Sequence, residues 1–131
     1  MTQRKAPPLQ RGAVLLARIA DNVPPGVEQQ GTRPVVVVAV PDQVGPLRFA
    51  LLVVVPLTKA TGSWSTRNPT LYPRLKAGQG GLNLDSTALI DQVQAVDASR
   101  IIKGYGYLKP DEFGPIQTGL EKMFSFAASI P

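Results

Sequence analysis

Two stretches, Val35-Val36-Val37-Val38-Ala39-Val40 and Phe49-Ala50-Leu51-Leu52-Val53-Val54-Val55, decide how this chain folds. Both are unbroken apolar runs rich in β-branched residues, the pattern of strands covered on both faces. Pro41 to Pro46 separates them and turns the chain back, so the two runs are expected to pair as the centre of one sheet. Working outward, Ala13 to Ala20 reads as a strand and Asp21 to Thr32 as a loop rich in turn residues. Lys59 to Asn68 reads as a polar loop around the only tryptophan, Trp64. Thr70 to Lys76 reads as a short strand, which Pro73 places at an edge because proline has no N–H for a central ladder. Gly78 to Gly81 is expected to turn before a strand over Thr87 to Val96 and another around Ser99 to Tyr107.

Near the C-terminus the period changes. Ile116, Leu120, Met123, Phe124 and Ala127 recur at three and four residues, which is one face of a helix. Pro115 is expected in the first turn of that helix, where a missing N–H is harmless, with Pro110 to Gly114 as a separate turn. Strands followed by one covering helix define an α+β domain with a compact, mostly antiparallel sheet. The 131 residues fit one domain, read as a flexible leader over 1–10 and a single folded unit over 11–131.

Composition narrows the chemistry. The chain has no cysteine and no histidine, which excludes zinc fingers, iron–sulfur clusters, thiol nucleophiles, histidine metal sites and histidine acid–base catalysis. No metal or other cofactor is expected, and catalysis would fall to carboxylates, hydroxyls, lysine, arginine or backbone groups. The net charge is +5, and it is uneven. Residues 1–84 carry ten bases and three acids (Asp21, Glu28, Asp42), whereas residues 85–131 carry four bases and six acids. A basic front of this kind favours an anionic partner, although solubility alone also accounts for it. The apolar runs fall well short of the ~18 residues of a spanning helix, and the prolines after Arg4 and Lys5 argue against a signal peptide. A cytoplasmic location with no membrane partner is the expectation.

Several short motifs stand in a telling order. Arg11-Gly12 is followed by Gly26-Val27-Glu28-Gln29-Gln30-Gly31-Thr32-Arg33-Pro34 at the entrance to the first valine run, and Val55-Pro56-Leu57-Thr58 closes the second. Gly80-Gly81-Leu82, Asp85-Ser86, Leu89-Ile90-Asp91-Gln92-Val93, Val96-Asp97 and Ser99-Arg100 come after them. From about Arg11 to Phe124 the chain resembles the MazF/PemK family of toxin endoribonucleases. The resemblance implies a barrel-like sheet related to SH3-like barrels with a C-terminal helix, and a homodimer. It further implies metal-independent cleavage of single-stranded RNA at short sequences, and inhibition by an acidic antitoxin protein in a type II toxin–antitoxin system.

The residues can be read against that chemistry. Metal-free RNA cleavage uses the ribose 2′-OH as nucleophile, so the protein must orient that hydroxyl, help remove its proton and stabilise charge on the phosphate. Arg33 suits the last task, because a guanidinium stays charged and presents a planar fork of donors to phosphate oxygens. The resemblance makes it catalytic; the plainer reading is a solvated arginine at a strand start. Thr58 ends the second valine run and stands where the family has a catalytic Thr or Ser. A neutral hydroxyl is a poor base, so its role would be to orient the 2′-OH or donate to a phosphate oxygen, unless it is simply a β-branched strand residue. Glu28 stands five residues before Arg33, either as a general base or as the group that holds Arg33 in place through a charge-assisted pair. Pairing would lower its pKa and weaken it as a base.

Gln29, Lys59, Trp64, Arg67, Asp91 and Gln92 complete the expected RNA-contacting set. Trp64 with Lys59 and Arg67 would stack an unpaired base while cations track the backbone, or Trp64 would be a hydrophobic anchor. Asp91 and Gln92 interrupt an apolar strand and need partners there. Relatives that use an aspartate at this place carry an arginine two residues before it, where this chain has Leu89, which favours a structural hydrogen bond for Asp91. Two other readings stay open. One is a non-catalytic SH3-like module that binds RNA or an acidic peptide. The other is a gyrase poison of the same fold, which acts through a C-terminal Trp and Ile, whereas this sequence ends Ala128-Ser129-Ile130-Pro131.

Overall fold

A computed structural model of the chain describes residues 9–19 and 31–125. Most of the expected leader, the loop that carries Glu28 and Gln29, and Ala127 to Pro131 lie outside the described residues.

The two valine runs form β2 (Gly31–Ala39) and β3 (Leu51–Thr58), paired antiparallel at the middle of the sheet as expected. Val35, Val36 and Val37 are fully buried, as are Val54 and Val55, so both faces of this pair are covered. β1 (Ala13–Ile19) flanks β2, and β7 (Ile101–Tyr107) flanks β1. On the other side β3 meets two partners. Its start pairs with β6 (Gln94–Asp97) and its end with β5 (Ser86–Ala88), which in turn pairs with the two-residue edge strand β4 (Arg74–Leu75).

This division of β3 corrects the expectation of one strand over Thr87 to Val96. A 3₁₀ turn at Ile90–Gln92 breaks it, so Asp91 and Gln92 lie in a turn and not within a strand. The break follows from backbone hydrogen bonding. The Leu89 N–H donates to the Pro56 carbonyl at 2.9 Å, and the Ile90 N–H turns away to the Leu71 carbonyl at 3.2 Å. With one strand serving two partners in succession, the sheet curls into a half-barrel around two apolar clusters. Val14, Val36, Val55, Leu57, Ile90, Phe113 and Ile116 belong to one, and Leu15, Ala17, Val35, Val37, Leu52 and Val54 to the other.

The C-terminal helix is α2 (Pro110–Phe124); α1 (Ser63–Thr66) is a single turn inside the expected polar loop. Helix α2 begins five residues earlier than the sequence pattern implies, with Pro110 at its start and Pro115 in its interior. The Lys109 N–H donates to Glu112 Oε1 at 2.8 Å and the Glu112 N–H to the Lys109 carbonyl at 2.9 Å, which closes the first turn. Gly114 relieves part of the cost of the interior proline, because it has no Cβ to meet the proline ring, while the hydrogen bond from position 115 to the Asp111 carbonyl is still lost. The longer helix adds Phe113 to the buried face with Ile116, Leu120 and Met123, while Phe124 is half exposed. Gly119 lets the helix lie against the turn before β4, where a Cβ would come within 2.5 Å of the Thr70 carbonyl oxygen.

Candidate active site

The site begins where the central ladder ends. Its last pair is Val35 with Pro56, and two residues beyond it on each strand lie Arg33 and Thr58, which line one cavity. Neither Pro34 nor Pro56 has an N–H to contribute, and beyond them β3 turns to β5, with Thr58 opposite Thr87, while Arg33 stays paired with Ala17 of β1. The splayed strands open a cavity of about 490 Å³, lined by Arg33, Pro34, Leu57, Thr58 and Lys59. Two guanidinium nitrogens of Arg33, Nε and Nη1, are shielded from solvent at the rim. Thr58 is half-buried, and its Oγ1 accepts a hydrogen bond from the Ala60 N–H at 3.1 Å. With that lone pair engaged, the hydroxyl proton is available to an anionic oxygen.

The far wall comes from Leu82, Asn83, Leu84, Ser86 and Tyr105, which sequence reasoning did not place in the site. Gly81 sets this wall close to β7. Its φ of +78° suits glycine, and an added Cβ would strike the Tyr105 carbonyl. Lys103 extends over the Tyr105 ring, 5.4 Å from its centroid, a third cation near the cavity after Arg33 and Lys59.

A second, smaller cavity of about 170 Å³ lies on the other side of Thr58, lined also by Trp64, Tyr72, Asp91 and Gln92. The Tyr72 hydroxyl donates to Asp91 Oδ2 at 2.7 Å, and the ring meets Trp64 edge-on, with centroids 5.0 Å apart. The hydrogen bond to Asp91 is the main reason the Tyr72 pKa lies above its ordinary value of 10.0. The phenol therefore stays a neutral donor. Of the expected residues, Arg33, Thr58 and Lys59 meet in the larger cavity, and Trp64, Asp91 and Gln92 meet in the smaller. Arg67 is exposed at the end of α1 and lines neither. Glu28 and Gln29 lie outside the described residues. Tyr72 gave no signal in the sequence, where it is one tyrosine before a proline in a segment read as an edge strand. Among the described residues, no group of three or more Asp or Glu side chains converges as a metal site would require.

A curled antiparallel half-barrel with one C-terminal helix is the MazF fold, and comparison with solved structures bears this out. MazF from Deinococcus radiodurans superposes with a TM-score of 0.68 at 18% identity, over 90% of this chain and 97% of that one. An endoribonuclease in complex with its cognate antitoxin, from a mycobacterial species, gives 0.61 at 20% identity, over 96% and 100% of the two chains. The Mycobacterium tuberculosis toxin MazF-mt6 gives 0.63 at 17% identity, over 86% and 96%. No curated protein matches in sequence. The family described as PemK-like, MazF-like toxin of type II toxin-antitoxin system matches residues 10–124. The chain belongs to that family. Among the described residues no helix is long and apolar enough to cross a membrane.

Proposed function

We propose that the protein is a sequence-specific, metal-independent endoribonuclease toxin that cleaves single-stranded RNA. The observation that carries this reading is the meeting of Arg33, Thr58 and Lys59, from two strands and a loop, at one rim cavity of a half-barrel sheet. In the reaction the ribose 2′-oxygen attacks phosphorus and the bond from phosphorus to the 5′-oxygen breaks. The products carry a 2′,3′-cyclic phosphate and a 5′-hydroxyl; the 2′-OH proton is lost to a base and a proton is delivered to the leaving oxygen.

Arg33 stabilises charge on the phosphate, and removing such a donor typically costs about 10²- to 10³-fold in rate. Thr58 orients the 2′-OH or donates to a phosphate oxygen, and Lys59 holds the RNA backbone. Glu28 supports Arg33 or takes the proton, and Gln29 contributes to RNA contact. Cleavage of messenger RNA places the protein in the cytoplasm. The basic front two-thirds also suits an acidic antitoxin, whose binding segment would compete with RNA for Arg33, and the working form is a homodimer. A long unstructured RNA incubated with the protein in excess EDTA, followed by end analysis, tests the mechanism. Cleavage should persist without metal and fall at least 100-fold in Arg33→Ala. Dependence on added metal, or full activity in Arg33→Ala, refutes it.

A further inference from the structure

Thr58 lies in the walls of both cavities, so an RNA whose scissile phosphate sits at Thr58 and Arg33 places a neighbouring base at the mouth of the smaller one. We infer that this smaller cavity, walled by Trp64, Tyr72, Asp91 and Gln92, is a nucleobase pocket that selects cytosine over uracil beside the cleaved bond. The inference rests on the reading of the protein as an RNA-cleaving enzyme and adds the identity of one base that it reads.

Three features of the pocket point to this base. The first is size: at about 170 Å³, against about 490 Å³ for the cavity at Arg33, it has room for one base. The second is the wall. Trp64 is 40% exposed, and Tyr72 braces it edge-on, so an indole held in place by an aromatic neighbour lines the pocket for a planar ring to pack against. The third is hydrogen-bonding polarity. The Tyr72 hydroxyl occupies Asp91 Oδ2 at 2.7 Å and fixes the carboxylate, whose Oδ1 has further acceptor capacity. An ionised carboxylate only accepts, and the base edge that matches it carries an exocyclic amine, as at cytosine N4. Uracil presents a carbonyl oxygen at the same place, and two acceptors repel. The Gln92 amide supplies a donor for the ring nitrogen or O2 of cytosine. Tyr72 is thus a positioning residue that acts through Asp91.

Trp64 is the only tryptophan, so its fluorescence reports on this pocket alone. Titration with oligo-deoxycytidine and oligo-deoxyuridine, which lack the 2′-OH and are not cut, should quench Trp64 and give about tenfold tighter binding of the cytidine oligomer. Asp91→Asn keeps an acceptor for Tyr72 and turns a donor toward the base, which should shift the preference about tenfold toward uracil. Tyr72→Phe keeps the ring against Trp64 and should narrow the preference several-fold. Sequencing of cleavage ends should show the same changes at one position flanking the cut, with the other positions unaltered. Equal binding of the two oligomers, or identical preferences in all three proteins, overturns the inference. A wild-type protein that cuts no RNA refutes the nuclease reading separately, because the fluorescence titration still decides the pocket.

Discussion

Gly119 offers a test in which two physical effects oppose each other. On helix propensity alone, Gly119→Ala should stabilise α2 by about 0.5–1 kcal/mol, because alanine loses less backbone entropy on folding. The packing argues the other way. The new Cβ would lie 2.5 Å from the Thr70 carbonyl oxygen and 3.2 Å from Ile90 Cγ1, whereas ordinary contact begins at 3.4 Å. The nearest obstacle is backbone and cannot rotate away, so the helix and the turn must separate by most of an ångström across a closed apolar cluster. Overpacking of that kind costs about 1–3 kcal/mol, so the net effect is a loss of roughly 1–2 kcal/mol, or a fall of about 4–8 °C in Tm.

Because Thr70 leads to Tyr72 and Ile90 leads to Asp91, the same displacement should disturb the smaller cavity more than the larger. The control is Thr118→Ala, one residue away on the exposed side of the helix, which should be neutral or stabilising by up to about 0.5 kcal/mol. Thermal and urea unfolding of the two variants against wild type measure the difference. If Gly119→Ala is as stable as Thr118→Ala, the close approach of α2 to Thr70 is not what positions this part of the site.

Thr58→Val keeps the strand shape and removes the hydroxyl; it should lower RNA cleavage at least tenfold while leaving Tm within a few degrees, as measured by single-turnover cleavage and thermal unfolding. Without histidine, the pH–rate profile of cleavage should lack an inflection near ~6.5; a clear step there would assign the proton transfer to a carboxylate with a raised pKa. Hydrogen bonds from Ser99, through its side chain and its N–H at 2.8 Å, hold the Asp97 carboxyl below the ordinary value of 3.8. Its contribution to stability is therefore present above the ordinary carboxylate range and lost as pH falls through the lowered folded value. Asp97→Asn should flatten that acid limb in unfolding measured between about pH 5 and pH 2, and an unchanged slope would refute this role.

The fold was legible where one kind of residue dominates a stretch. The two valine runs specify buried strands over Val35 to Ala39 and Leu51 to Val55, because nothing there favours a turn or a one-sided face, whereas Phe49 and Ala50 of the expected run are exposed and precede the strand. The single strand expected over Thr87 to Val96 does not form, for the opposite reason. Leu89-Ile90 continues an apolar pattern, and the chain turns there because successive N–H groups reach different partners, Leu89 the Pro56 carbonyl and Ile90 the Leu71 carbonyl. Pro115 lies inside the helix although proline disfavours helix interiors; Gly114 before it relieves only the crowding that a preceding Cβ would add.

Arg33 and Thr58 were legible as candidates through motifs local to each, but nothing in the sequence says that they face one another. They share one cavity because β2 and β3 part beyond Val35 and Pro56 and open a rim that both side chains line. Tyr72 was invisible, because its role depends on a partner nineteen residues away, Asp91, brought to it by a turn that the sequence pattern conceals. By itself the sequence determined the buried strands, the helical face, the uneven charge and a chemistry without cysteine, histidine or the metal sites they form, all of which depend on residue type and short-range order. The tertiary structure alone decided which side chains share a cavity, because that depends on where strands pair, where they part, and how closely α2 can approach at Gly119.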